Sequence, residues 1–221
     1  MVAERLALVR GRIVAAANRA GRSPSAITLV AVSKSRSVAE ILAAYESDQR
    51  DFGENRAEEL SAKAPQLPAD IRWHLVGTLQ SRKAAAARPL TAVLHSMDRM
   101  SLARRWASGP GEAPPCLLQV NVGLEPQKQG VAPDGVESTL AEMEEIGIEP
   151  VGLMAIPPAP DSAEGSRPFF RQLASLAEAA RVNRPHLVEL SMGMTDDFEV
   201  AVEEGATLVR VGRAIFGPRS N

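Results

Sequence analysis

The sequence predicts a single (β/α)8 barrel of the TIM type with an extra N-terminal helix, and three observations predict it. Eight short apolar runs alternate with helix-periodic stretches along 221 residues. That length suits the roughly 200 to 250 residues over which an α/β barrel closes as one unit. Glycine-bearing loops follow the seventh and eighth runs, where such barrels commonly hold phosphate groups. A doubly wound open sheet is the competing architecture for the same alternation.

The chain starts with MVAERLALVRGRIVAAANRA, in which Leu6, Val9, Ile13 and Ala17 recur at helical spacing while Arg5, Arg10 and Arg12 fall between them. This pattern predicts an amphipathic helix with its arginines on the solvated side. The same arginines interrupt the apolar stretch that a secretory signal requires. Residues 27–32 (ITLVAV) form a continuous β-branched run, too short for a helix and too apolar for an edge, and predict a buried strand. Ser37 and Glu40 have capping-box spacing ahead of Val38, Ile41, Leu42 and Tyr45, so a helix follows at once. Further strands are expected at 51–53, 73–77, 92–96, 117–122, 151–156, 187–191 and Leu208–Val211, with helices between them that include 134–146 and Arg167–Arg181. The proline-rich pieces 110–115 and 157–160 read as loops at strand ends. No Pro/Gly/Ser linker separates two cores, so residues 1–221 read as one domain.

Composition narrows the function. Lys plus Arg number 25 against 27 Asp plus Glu, a formal charge of -2, so there is no overall basic field of the kind a general nucleic-acid binder uses. No apolar run approaches the ~20 residues of a membrane helix. The single cysteine, Cys116, excludes an intrachain disulfide framework and fits a reducing compartment, with the cytoplasm as the expected location. It precedes Leu117 and Leu118 and reads as a core filler. His95 and His186, with no cysteine partner and no paired carboxylate spacing, do not make a metal site.

The chemistry of a barrel sits at the carboxyl ends of its strands. After the seventh strand come Ser191, Met192, Gly193, Met194, Thr195 and Asp196, a hydroxyl and a glycine leading into a helix. After the eighth come Gly212, Arg213, Ala214, Ile215, Phe216 and Gly217. Glycine lets the backbone approach an anion, and helix-initial N–H groups supply donors, so both loops read as phosphate cradles. Lys34 ends the first strand and would place an amine at the same mouth; desolvated near other cations, it could condense with a carbonyl. Lysine, cradle and barrel together leave three ligands open: a sugar phosphate held by an aldolase Schiff base, a triose phosphate, or pyridoxal 5'-phosphate. Arg210 lies two residues before Gly212 and faces the same side of its strand. Beside a pyridine nitrogen it would donate a hydrogen bond and leave that nitrogen unprotonated, weakening the ring as an electron sink.

Several motifs in order carry a family resemblance across nearly the whole chain. They are Val32-Ser33-Lys34, Phe52-Gly53-Glu54-Asn55, Trp73-His74-Leu75-Val76-Gly77 with Leu79-Gln80, Gly152-Leu153-Met154, Ser191-Met192-Gly193-Met194, and Val209-Arg210-Val211-Gly212 with Ile215-Phe216-Gly217. Through them the chain resembles the pyridoxal phosphate homeostasis protein family, also called proline synthase co-transcribed homologues, whose barrel is similar to the N-terminal domain of alanine racemase. The resemblance implies that Lys34 carries the cofactor as a Schiff base, that Ser191, Gly193 and Gly212 help hold the phosphate, and that Arg210 faces the pyridine nitrogen. It also implies that Asn55, His74 and Met154 line the pocket. Thr78 stands where the family often has histidine, Arg82 where it often has asparagine, and Arg213 where it usually has a small residue. Arg213 either adds a charged phosphate contact or points outward while its backbone N–H binds.

A two-base racemase needs a second acid/base group, which in alanine racemase is a tyrosine from another domain or subunit. The sole tyrosine here, Tyr45, lies on the helix after the first strand, away from the mouth. The expected function is therefore a pyridoxal phosphate carrier or reservoir in cofactor homeostasis, with weak amino-acid racemase activity as the alternative and a Schiff-base aldolase behind it. A triose-phosphate-type isomerase would need a glutamate on the sixth strand, which offers none. Lys83 and Lys128 read as solvated lysines that could also receive cofactor in transfer. Apo forms of pyridoxal-phosphate enzymes are the expected recipients, and the resemblance implies a monomer or weak dimer.

Overall fold

The computed structural model describes residues 1–109, 111–159 and 161–218. Eight parallel strands close into a barrel in sequence order: β1 (Thr28–Val32), β2 (Asp51–Glu54), β3 (Arg72–Leu75), β4 (Val93–Met97), β5 (Cys116–Val120), β6 (Gly152–Ala155), β7 (Glu189–Ser191) and β8 (Leu208–Val211). Helix α1 (Val2–Arg19) precedes them, and α2 (Val38–Tyr45), α3 (Ala57–Lys63), α4 (Ala84–Ala87), α5 (Met100–Ala107), α6 (Val136–Glu145), α7 (Arg167–Arg181), α8 (Phe198–Glu203) and α9 (Arg213–Phe216) follow successive strands. This is the (β/α)8 fold that the alternation predicts, and the closed sheet sets aside the open one. Closure is made by β1 against β8, with Thr28, Leu29, Val30 and Ala31 opposite Leu208, Val209, Arg210 and Val211.

β3, β5 and β6 end sooner than their apolar runs suggest and β7 begins later, whereas β2 and β4 each run one residue further and β8 has the expected bounds. Val122 and Leu187 are buried, yet neither belongs to a paired strand. Hydrophobicity reports burial, whereas strand membership requires a ladder partner. The capping box at Ser37 forms as its spacing predicts: the Glu40 N–H donates to Ser37 Oγ at 3.3 Å, and the Ser37 N–H donates to a Glu40 carboxylate oxygen at 2.9 Å. Of the proline-rich pieces, residues 111–115 and 157–159 are loops at strand ends; Pro110 and Pro160 lie outside the described residues.

The main core lies between sheet and helices, and a second, smaller apolar cluster of Val30, Leu117, Met154 and Leu208 lies apart from it. These four belong to β1, β5, β6 and β8 and fill part of the barrel lumen. The rest of the lumen is polar. Asp51, His74, His95, Ser191 and Arg210 are all buried there.

Helix α1 buries Leu6, Val9, Ile13, Ala16 and Ala17 and packs against α2, α8 and α9. Arg12 pairs with Glu199 at 2.7 Å and lies over the Phe198 ring, and Arg19 pairs with Glu203 at 2.8 Å. Arg10 departs from the solvated face, reaching the Ser47 carbonyl at 2.7 Å. Because Leu6 is fully buried, Leu6→Ala should cost about 2–5 kcal/mol through lost transfer energy and the cavity left behind, read as a fall in the urea unfolding midpoint.

Candidate functional site

A cavity of about 280 Å³ opens at the carboxyl ends of β1, β2, β3, β6, β7 and β8. Val32, Val76, Ile156 and Met194 give it apolar walls; Lys34, Asn55, Thr195, Arg210 and Arg213 give it polar groups rich in donors. Its carboxylate, Asp196, forms an ion pair with the exposed Arg213 at the rim.

The chain contains four lysines, and Lys34 is the one that lines this cavity. Lys63 is buried among carboxylates, Lys83 pairs with Glu58, and Lys128 pairs with Glu125 while donating to the Pro157 carbonyl at 2.8 Å. The backbone around Lys34 is fixed on both sides. The Ser33 N–H donates to the Gly53 carbonyl at 2.8 Å, and Ser33 Oγ donates to Glu54 at 2.7 Å. The Lys63 ammonium donates to the Ser33 carbonyl and to Glu54, each at 2.8 Å, and to Glu59 at 2.6 Å. Glu59 in turn accepts the Ser35 N–H at 2.5 Å, where the backbone adopts a left-handed φ of 59°. Three ionised or polar side chains from β2 and α3 thus hold the two peptide units that flank Lys34. Burial raises the Glu54 carboxyl above its usual range despite the lysine beside it.

The two glycine loops do different work. Gly193 has φ +90°, and an added Cβ would stand 2.5 Å from Ala201 Cβ and 2.9 Å from Phe198 Cα, so this position turns the chain tightly onto α8. Gly193 does not line the cavity, but its carbonyl accepts the Arg210 N–H at 3.0 Å. The loop beyond it is held by Asp197, which accepts the Met194 N–H and the Ser166 hydroxyl, each at 2.7 Å. Gly212 lines the cavity and begins α9, whose first N–H groups have no intrahelical acceptor. An added Cβ at Gly212 would press the Val32 carbonyl oxygen at 3.1 Å.

Of the nine residues singled out from sequence, Lys34, Asn55, Arg210, Gly212 and Arg213 come together in the cavity, whereas His74, Met154, Ser191 and Gly193 lie behind its wall. Met154 sits in the apolar cluster of the lumen. Ser191 is fully buried, 2.7 Å from His95 Nδ1, and accepts a hydrogen bond from Arg210 Nη1. His74 Nδ1 lies 2.8 Å from His95 Nε2, and its own Nε2 lies 2.9 Å from Asp51 Oδ1. Thr78 and Arg82 are exposed and do not line the cavity. Thr195 does line it. Its signal in the sequence is a hydroxyl two residues past the turn glycine, at the entry to a helix.

Arg210 is buried and its pKa is pushed down to about 10 by desolvation, which still leaves it a cation at neutral pH. Besides Ser191 it donates to the Ala155 carbonyl at 2.9 Å, so two of its five N–H donors are used inside the barrel. Burial, with the neighbouring His74 and Arg210, holds His95 well below the ordinary imidazole value of 6.5. Burial also pushes the Cys116 thiol up to about 12, which suits a core residue and not a nucleophile. Tyr45 is remote from the cavity, its hydroxyl donating to Asp70 at 2.7 Å. Among the described residues no group of His, Cys, Asp and Glu is arranged to hold a metal ion, and no helix is long and apolar enough to cross a membrane.

Residues 7–220 match the family model of the alanine racemase N-terminal domain. The chain is 40% identical to the pyridoxal phosphate homeostasis protein of Escherichia coli strain K12, over 99% of this chain and 97% of that one. It is 38% identical to the protein of the same name from Aquifex aeolicus, over 98% of this chain and 97% of the relative. Among solved structures it is similar to PipY of Synechococcus elongatus with PLP bound, with a TM-score of 0.83 and 37% identity over 98% of this chain and all of that one.

Two outcomes follow from this geometry. Gly193→Ala should destabilise the chain by at least the ~1–3 kcal/mol of a strained backbone site, since its neighbours are Cα and Cβ atoms of a packed helix, and thermal unfolding measures the loss. His95 gives stability a pH dependence of definite sign. Its folded-state pKa is depressed, so below about pH 6.5 the unfolded chain takes up a proton that the folded chain refuses. Stability then falls by about 1.4 kcal/mol per pH unit from this residue. Urea titrations between pH 7 and 5 should show the wild type losing stability more steeply than His95→Gln.

Proposed function

The chain belongs to the alanine racemase N-terminal domain family and, within it, to the pyridoxal phosphate homeostasis proteins, and on that premise we propose that it binds pyridoxal 5'-phosphate in the strand-end cavity and serves intracellular cofactor homeostasis as a carrier or reservoir. The observation that carries this reading is the meeting of Lys34, Arg210 and the start of α9 in one cavity. The donor set fits the cofactor group by group. An amine suits the aldehyde, helix-initial N–H groups and a hydroxyl suit a phosphate, a buried guanidinium suits the ring nitrogen, and Val32, Val76 and Ile156 suit the two faces of a flat ring. When bound, the cofactor supplies a reactive aldehyde and a ring that can accept electrons.

In this reading Lys34 is the amine that takes the aldehyde. Gly212 and Arg213 hold the phosphate through backbone N–H groups with the Thr195 hydroxyl beside them, while the Arg213 side chain stays paired with Asp196. Gly193 shapes the neighbouring loop, and Asn55 closes the side near Lys34. Ser191 and His74 support Arg210 from inside the lumen, and Met154 is part of the apolar floor. Arg210 keeps its proton and would donate a hydrogen bond to the ring nitrogen, which would leave that nitrogen unprotonated and the ring a poor electron sink. The lining offers one carboxylate, tied to Arg213, and the sole tyrosine is remote. Both features favour storage over turnover. The protein then works as one barrel domain over residues 1–221, in the cytoplasm, as a monomer or weak dimer, with apo pyridoxal-phosphate enzymes as recipients.

Adding pyridoxal 5'-phosphate to the purified protein should produce a visible absorption band. Borohydride reduction followed by peptide mass spectrometry should place the label on Lys34 and spare Lys63, Lys83 and Lys128. Lys34→Ala should lose both the band and the label. Label distributed over Lys83 and Lys128, or a band that persists in Lys34→Ala, would overturn the assignment.

A further inference from the structure

The lumen of this barrel is crossed by a chain of buried polar side chains from five strands. It starts at Arg210, in the cavity wall, and passes through Ser191, His95 and His74 to Asp51. Asp51 lines a separate cleft together with Arg72, Thr28 and Leu29, at the amino ends of β1, β2 and β3. There the Arg72 guanidinium, whose side chain is 63% exposed, donates to both Asp51 oxygens, the Nε contact being 2.8 Å. The chain therefore connects the two ends of the barrel through its interior.

Its polarity follows from its termini. A guanidinium can only donate, and an ionised carboxylate can only accept. Burial works to raise the Asp51 carboxyl, but the hydrogen bonds from His74 and Arg72 outweigh it and keep the group below its usual range, hence ionised. Between a donor and an acceptor, the arrangement with the fewest protons has each group accept from one side and give to the other. Arg210 donates to Ser191 Oγ, Ser191 donates to His95 Nδ1, His95 Nε2–H donates to His74 Nδ1, and His74 Nε2–H donates to Asp51. The opposite order would make Ser191 accept from both neighbours and would put a proton on both nitrogens of His74. Only the first order uses every hydrogen between the ends once.

We propose that this directional relay fixes Arg210, and that Asp51 and His95 are positioning residues for the guanidinium although neither touches the cavity. The proposal rests on the cofactor reading above for the meaning of Arg210, but the relay itself exists without cofactor. Its consequence is that the ionic state of the Arg72–Asp51 pair, which reaches solvent at the amino end through Arg72, is felt at the carboxyl-end cavity.

The test uses the full chain with nitrogen-15 in its histidines, of which there are three, so that His186→Gln assigns the exposed one. In the cofactor-free wild type, long-range proton–nitrogen spectra should show His95 and His74 both as neutral Nε2–H tautomers. Asp51→Asn should move the ring-nitrogen signals of His95, which Asp51 does not contact. With pyridoxal 5'-phosphate added, the same variant should shift the visible band and weaken binding about fivefold, the scale of one hydrogen bond at Arg210. Arg72→Gln, altered at an exposed side chain, should move the same signals in the same direction and by less, and it decides the matter if Asp51→Asn fails to fold. His95 found as the Nδ1–H tautomer, or His95 signals and cofactor band unchanged in a folded variant, would overturn the relay. A wild type that gives the expected tautomers but no cofactor band would sink the binding reading and leave the relay standing.

Discussion

The ladder between β1 and β8 is the constraint on which the site depends. It sets Val30 opposite Arg210 and Ala31 opposite Val211, so the residues that leave these strands, Lys34 on one side and Gly212 and Arg213 on the other, emerge together although about 180 residues separate them. Side chains reinforce the closure. Arg36 donates to the carbonyls of Gly217 at 2.5 Å and Pro218 at 3.0 Å and lies 5.9 Å over the Phe216 ring. The loop that carries Lys34 is therefore tied both to the end of α9 and, through Lys63 and Glu59, to α3. A side chain that must meet a ligand in one geometry gains from this, because the entropy of ordering the loop is met during folding and not at binding.

The interior of the barrel combines two solutions to the packing of a closed sheet. Val30, Leu117, Met154 and Leu208 fill part of it in the ordinary apolar way. The remainder is a polar chain that holds a cation, Arg210, with no carboxylate hydrogen-bonded to it among the described residues. A buried charge of this kind is costly unless its donors find acceptors, and the Ser191 hydroxyl and the Ala155 carbonyl take two of the five. The cost of burying it appears in its lowered pKa, and the benefit is a fixed donor in a place water does not easily reach.

Much of this was legible in the residue order and some was not. Eight alternating runs specify the barrel because parallel strands covered on both faces read as short, largely apolar runs, even where their lumen face carries Asp51, His74, His95, Ser191 or Arg210. Gly193 and Gly212 stand out as the glycines that follow β7 and β8, the first in a turn with no room for a side chain and the second where a side chain would press the Val32 carbonyl. Lys34 is visible as a strand-end lysine. Thr195 is harder to select over Ser191, since both hydroxyls fall within five residues and only the end of β7, at Ser191, decides which of them faces the lumen. The Asp51, His74 and His95 chain is not visible at all. Its members are spaced 23 and 21 residues apart on three strands, and nothing but closure brings them into contact. On sequence His95 reads as an isolated strand histidine, because the pattern of a single strand says which face a residue takes and not what meets it across a barrel.

Helix α1 precedes the first strand and is not one of the eight that follow strands, yet it rests on α8 and α9, the two helices that follow the glycine loops. Its apolar stripe and its Arg12 and Arg19 pairs join residues 2–19 to the other end of the chain. In the language of local unfolding, elements packed in this way tend to open together, so fraying of the N-terminal segment would loosen both loops at once. The loops at the cavity mouth thus lean on an element that does not line the cavity, and the order of the site is set in part from the outer surface of the helical ring.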